Sequence, residues 1–324
     1  MKELHRARRV GYTVIVCAII WRLLAAGVPE TLWYRLVQPN IDAFVTKLET
    51  GRNVRFSSSL DTFSPDFMES PPPSLPEPTE PSIPAFSGEE VVDLYYAVRK
   101  QPDIADLLAK PLEWNLFDAE PSVLILHTHT TESYTRQGED YRETSSWRTL
   151  DENYNMLAIG DLVGSVLEEA GIGVLHHREL NDYPSYSGSY TRARQSLREI
   201  LEENTGIRLV LDLHRDAMGT ETHQQKTKAV VNGEDSAQLM IVIGTNHEAY
   251  EENLSLGLKL HVLLEEQWPG IMRPLQLRAQ RFNQDLHNGA LLIEVGAAGN
   301  SHREARLAAE QLAKAVIALA KGSE

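Results

Sequence analysis

A chain of 324 residues has room for two ordinary domains, but its uneven composition reads as one globular domain with attachments. The formal net charge of −15 argues against nucleic acid or anionic lipid as a partner bound through bulk charge. The single cysteine, Cys17, excludes an internal disulfide and a cysteine-rich zinc site, so any metal must be held by His, Asp or Glu.

The first ten residues set Lys2, Arg6, Arg8 and Arg9 against one acid, Glu3. An apolar run from Val10 to Trp21 follows, broken by Arg22 and resumed to Val28. Counted through Arg22, whose charge can snorkel outward, the span suits a transmembrane helix with the basic N-terminus in the cytoplasm. Residues 1–28 are therefore expected to be a single-pass anchor in the cytoplasmic membrane, with the rest extracytoplasmic. The small residues Ala25-Ala-Gly-Val-Pro29 leave a cleaved signal peptide open. Residues 29–56 form a juxtamembrane segment with a short amphipathic pattern at Ile41–Leu48. Residues 57–87 hold half of the 16 prolines and no Lys or Arg. That composition cannot bury a core and predicts a disordered, partly polyproline spacer. Residues 88–118 read as a short helical lead-in, with Val91, Leu94 and Val98, then Ile104, Leu107 and Leu108, at helical spacing.

From residue 119 to 324 strand and helix patterns alternate. Val123-Leu-Ile-Leu126 is a short apolar run of the kind buried on both faces of a sheet. Gln137 to Asn153 is a polar loop. Met156, Ile159, Leu162, Val163, Val166 and Leu167 mark a helix closed by Gly171. A strand at Gly173-Val-Leu, a helix over residues 191–204 and a strand ending at His214 come next. Ala229–Gly233 and Ala237–Gly244 are expected to pair as a hairpin. A helix ending near Trp268, strands near 275–281 and 290–295, and a helix over 303–320 complete the chain. This alternation predicts an α/β domain: a mainly parallel sheet with helices on both faces.

Three strand ends carry chemistry. Val123–Leu126 runs into His127-Thr-His129-Thr-Thr-Glu132. Arg208-Leu-Val-Leu-Asp-Leu-His214-Arg-Asp216 ends in a histidine among charges. Leu291-Leu-Ile-Glu294-Val-Gly296 holds a carboxylate inside an apolar run, where it is costly unless paired, metal-bound or neutral. Strand ends are where open α/β folds place their ligands. Two His and one carboxylate would hold zinc with a position left for water, and the remaining glutamate is free to act as base.

These segments, with Asp182-Tyr-Pro-Ser-Tyr186 and Phe282-Asn-Gln-Asp-Leu286, make residues 120–320 resemble the stage II sporulation protein P family of membrane-anchored cell-wall hydrolases. The resemblance implies a fold similar to zinc N-acetylmuramoyl-L-alanine amidases, of the phosphorylase/hydrolase-like kind. It implies cleavage of peptidoglycan during sporulation and engulfment, with an endopeptidase activity on cross-links, and stage II sporulation proteins D and M as partners. Zn2+ is then expected on His129, Glu132 and His214, with Glu294 as general base and acid. Arg215 is assigned to the catalytic set, and Arg215 and Asn283 are candidates for substrate or oxyanion contact. His127, two residues from His129 and on the same face of an extended chain, is an alternative ligand, otherwise placed behind His129. Glu152, opening the first helix, is an alternative to Glu132. Arg281 is a candidate partner for Glu294, and His176 and His177 read as surface or loop histidines. A metallo-carboxypeptidase or endopeptidase of wall peptides, or a non-catalytic peptidoglycan-binding scaffold, are the competing readings.

Overall fold

The computed structural model describes residues 94–96, 102–112, 114–135, 147–220 and 223–322. The expected anchor, juxtamembrane segment and proline-rich spacer lie outside the described residues. Among the described residues no helix is long and apolar enough to cross a membrane.

The elements in chain order are β1 (Leu94–Tyr96), α1 (Ile104–Ala109), β2 (Val123–Leu126), α2 (Met156–Glu169), β3 (Val174–His176) and α3 (Ser189–Glu203). Then come β4 (Leu209–Asp216), two small hairpins made of β5 (Gly219–Thr220) with β6 (His223–Gln224) and β7 (Ala229–Val231) with β8 (Glu234–Ser236), and β9 (Leu239–Gly244). The chain ends with α4 (Tyr250–Gln267), β10 (Leu275–Arg278), β11 (Ala290–Ala297) and α5 (His302–Lys321). Seven strands form one sheet in the order β1-β10-β9-β11-β4-β2-β3. Every neighbouring pair is parallel except β11 with β9. The expectation of a mixed α/β fold with a mainly parallel sheet holds.

Two local expectations do not. Leu94, assigned to a helix by its spacing, lies in an edge strand parallel to β10. A three-residue strand is too short to show a period of two, so the apolar spacing misleads. Ala229–Val231 pairs with Glu234–Ser236 across the turn at Asn232-Gly233, and β9 instead joins the main sheet. Both turn residues have positive φ, as a tight two-residue hairpin turn requires.

The strands' alternation divides the core. Val123, Ile125, Leu209, Leu211, Leu213, Ile241, Ile243, Leu291 and Ile293 face the helices α1, α2, α4 and α5. Leu124, Leu126, Val210 and Ala290 face Ala193 and Leu197 of α3 alone. Fully burying one such aliphatic side chain contributes about 1.5–3 kcal/mol, so the four-helix face supplies most of the stability. The helices stop and start on local signals. Asn155 caps α2 by accepting from Leu157 N, and Ser301 and Glu304 close a capping box at α5.

Candidate active site

The parallel register sets β11 beside β4 so that Glu294 is the direct partner of His214, and Leu292 that of Asp212. Asp212 and His214 alternate with the core residues Leu211 and Leu213, so both side chains lie on the face of α3. Beyond Glu294 the ladder shifts register before Ala297. Gly296 sits in that irregularity at φ 69°, where a Cβ would come within 2.7 Å of the Ala237 Cβ. Asn300 holds the detour by accepting from Ala297 N, at 3.0 Å, and Thr227 N.

The turn after β2 is bolted to the same place. Thr128 donates from N and Oγ1 to the two carboxylate oxygens of Asp212, at 2.8 and 2.6 Å. This puts His129 edge-on to His214, with ring centroids 5.1 Å apart. Glu132 comes to 3.7 Å from His214 Nδ1. Its carboxylate accepts from Arg215 N at 3.2 Å and from Arg148 Nη2 at 3.0 Å. His129, Glu132, Asp212 and His214 are all buried. The residues His129, Glu132, His214 and Glu294 are therefore brought together from three strand ends.

Charge is distributed unevenly over them. Burial lowers the affinity of His214 for its proton, but Asp212, then Glu132 and Glu294, outweigh it and raise the pKa to about 9. Burial pushes Glu294 up to about 8, against the pull of His214 and with the repulsion of Glu132 and Asp216. Burial takes His129 down to about 4 despite Glu132 beside it. Burial would raise Glu132 too, yet Arg215, His129, His214 and Arg148 together hold it below the usual carboxylate range.

The donor set suits a zinc-class cation in kind and in burial. His129 Nδ1 is buried without a hydrogen-bond partner, and so is Glu294 Oε2. His214 Nε2 lies 2.9 Å from Asp212 Oδ1 but without hydrogen-bond alignment, so Asp212 orients it by charge and contact. The set is not a closed cage: among the described residues no three His, Cys, Asp or Glu side chains stand together at coordinating separation. The two oxygens of Glu132 are held by Arg148 and the Arg215 amide.

Other sequence-based assignments fall elsewhere. His127 does not share a face with His129, because the chain leaves the extended conformation after Leu126. Its ring packs towards α2, with Nδ1 on Leu213 O at 3.0 Å and Nε2 2.9 Å from His176 Nε2. Gly160 of α2 makes the space, since a Cβ there would meet both imidazoles. His176 is thus no loose surface histidine; it ends β3 and bonds Asp161 at 2.9 Å. Glu152 does not open α2, which starts at the Asn155 cap; it is exposed and paired with Arg178 at 2.8 Å. Arg281 pairs with Asp285, not Glu294. Arg215 is buried, and its guanidinium donates to Ser133 O and Trp147 O. It therefore braces the turn bearing Glu132, with Nη1 3.7 Å from Glu132 Oε1. Asn283 also serves the framework, donating to Tyr190 O at 3.0 Å and accepting from Arg194.

Sequence reasoning missed four contributors: Arg148, Asp182, Tyr186 and Tyr190. Tyr186 stacks on His129 with centroids 4.6 Å apart, and Tyr190, in the first turn of α3, meets the same ring edge-on at 5.4 Å. Asp182 accepts from Thr131 N and Oγ1 at 3.0 and 2.7 Å. Three tyrosines and an acid within the nine residues from Asp182 to Tyr190 were a visible signal. Arg148 gave none, since it reaches the site only through tertiary folding.

Among protein-family models, the one described as Stage II sporulation protein P matches residues 78–317. The chain belongs to this family. A curated relative, Stage II sporulation protein P of Bacillus subtilis (strain 168), is 28% identical over 260 residues, covering 76% of this chain. The chain spans about 60% of that relative's length. Solved structures with partial overlap include the CwlD amidase from Clostridioides difficile in complex with the GerS lipoprotein, at 14% identity and TM-score 0.38, covering 62% of this chain and 98% of that one. Another is the N-acetylmuramoyl-L-alanine amidase AmiC2 of Nostoc punctiforme, at 13% identity and TM-score 0.37, covering 61% and 97%.

Proposed function

We propose that this family member is a zinc-dependent peptidoglycan hydrolase that cleaves the amide between N-acetylmuramic acid and L-alanine. The observation that carries the reading is Glu294. It is a carboxylate with one sealed, unpartnered oxygen and a pKa near 8, set at the same register as His214 on the neighbouring strand. His129, Glu132 and His214 would hold the cation. Bound there, zinc would polarise the amide carbonyl and acidify a water. Glu294 receives the proton of the attacking water and returns it to the departing amine, the exchange for which a carboxyl titrating near neutrality is suited. Asp212 keeps His214 oriented through the exchange, and Arg148 and Arg215 hold Glu132 ionised.

In the same reading residues 1–28 anchor the protein to the cytoplasmic membrane and residues 57–87 carry the domain outward to the wall. At ~3.1 Å per residue an extended spacer of this length reaches on the order of 90 Å. Stage II sporulation proteins D and M are the partners expected in engulfment. Digestion of purified sacculi, followed by mass spectrometry of the products, tests the bond. Free muramic acid lactyl groups with intact peptides support the amidase; trimmed or uncrosslinked peptides still joined to glycan would replace it with a peptidase. No products would leave the scaffold reading.

A further inference from the structure

The loop from Asn181 to Gly188 contains a motif that the chemistry above leaves unused. It is braced by Asp182 against Thr131, and by the Arg192 guanidinium, which donates to the carbonyls of Asn181, Ser185 and Ser187. On this frame Tyr186 is 57% exposed, so the core does not depend on it. Yet its ring lies nearly parallel to that of His129, at 18°, and its hydroxyl is 3.3 Å from His129 Nε2. The edge-on rings of Tyr190 and His214 hem the imidazole on other sides. Arg148 lies 4.6 Å from the centroid of Tyr186 while donating to Glu132 and Asp182. One guanidinium and one phenol therefore brace two of the three proposed ligands from outside.

We propose that Tyr186 is a positioning residue: it occupies His129 Nε2 and holds the ring so that Nδ1 is the nitrogen offered to the cation. The inference rests on the zinc reading of this site. A hydrogen bond to the far nitrogen fixes the tautomer and ring orientation of a ligating histidine, and losing such a partner typically weakens metal binding about 10–100-fold. The stacked ring adds restraint through its face, and Arg148 adds a cation–π contact that keeps the phenol in place.

The test is zinc affinity of the full chain in detergent, read by competition with a chromophoric chelator, beside turnover with and without excess zinc. Tyr186→Phe keeps the ring and loses the hydroxyl, so zinc should bind about 10-fold more weakly; Tyr186→Ala loses both, approaching 100-fold. Excess zinc should restore most of the turnover in both variants. Tyr183→Ala, on the same loop and similarly exposed, should bind zinc as wild type does. If Tyr186→Ala and wild type bind zinc equally, the positioning role is refuted while the zinc reading stands. If wild type binds none, the zinc reading falls and this inference with it.

Discussion

Replacing Glu294 with glutamine should make the metal-free protein more stable at alkaline pH while stopping its chemistry. The carboxyl is displaced from the usual 4.5 to about 8, chiefly by burial. Folded chains thus retain, between those two values, a proton that unfolded chains release. An acid raised in this way lowers stability as pH rises through the window, and the loss is complete above about 8. At about 1.4 kcal/mol per pH unit the full penalty is at most roughly 5 kcal/mol, reduced to the extent that the partly exposed residue recovers hydration. Glutamine has nothing to ionise and escapes it. Denaturant unfolding of the chelator-treated full chain at pH 5, 7 and 8.5 measures the difference between wild type and Glu294→Gln. Groups common to both proteins cancel, so the variant's advantage should be small at pH 5 and grow by several kcal/mol by pH 8.5. Turnover of the zinc-loaded variant should fall ~10²–10⁴-fold. A stability difference that does not change with pH would refute the claim that Glu294 is strained into its neutral form.

Three further expectations follow from the same geometry. His214→Ala should lose both zinc and turnover, as elemental analysis beside muropeptide release will show; retention of full zinc would remove His214 from the ligand set. Gly296→Ala should cost about 1–3 kcal/mol in chemical unfolding, because its left-handed backbone and the nearby Ala237 Cβ both resist a side chain. Arg215→Lys should destabilise by about 2–4 kcal/mol, because a compact ammonium lacks the fixed fork whose separate nitrogens reach Ser133 O and Trp147 O; an unchanged unfolding midpoint would show that the fork is dispensable.

The central strands were legible because each is a short apolar run with a polar residue where the sheet ends. Glu294 was legible for the same reason, standing out inside an apolar stretch. Side-chain direction was not. His127 and His129 are two apart, and only the turn after Leu126 sends one towards Gly160 and the other towards Tyr186. Arg215 follows His214 directly, and only the fold shows its guanidinium on Ser133 O and Trp147 O, 3.7 Å from Glu132. Edge pairing was equally hidden, since Leu94–Tyr96 takes its strand conformation from β10 and not from its own pattern. A loop partner such as Arg148 depends on contacts distant in sequence, which local spacing does not encode.

The unequal covering of the sheet gives β2 a two-channel readout. Val123 and Ile125 sink among the helices of the heavily covered side, whereas Leu124 and Leu126 sit against α3 on the side that bears Asp212 and His214. A residue-by-residue alanine scan of this single strand should therefore alternate in kind as well as size. Odd positions would register first as lost yield and early melting. Even positions would add displaced chemistry to their own loss of stability, because they lead into the turn from which Thr128 grips Asp212. Selection acting on such a strand meets two separate demands at adjacent codons.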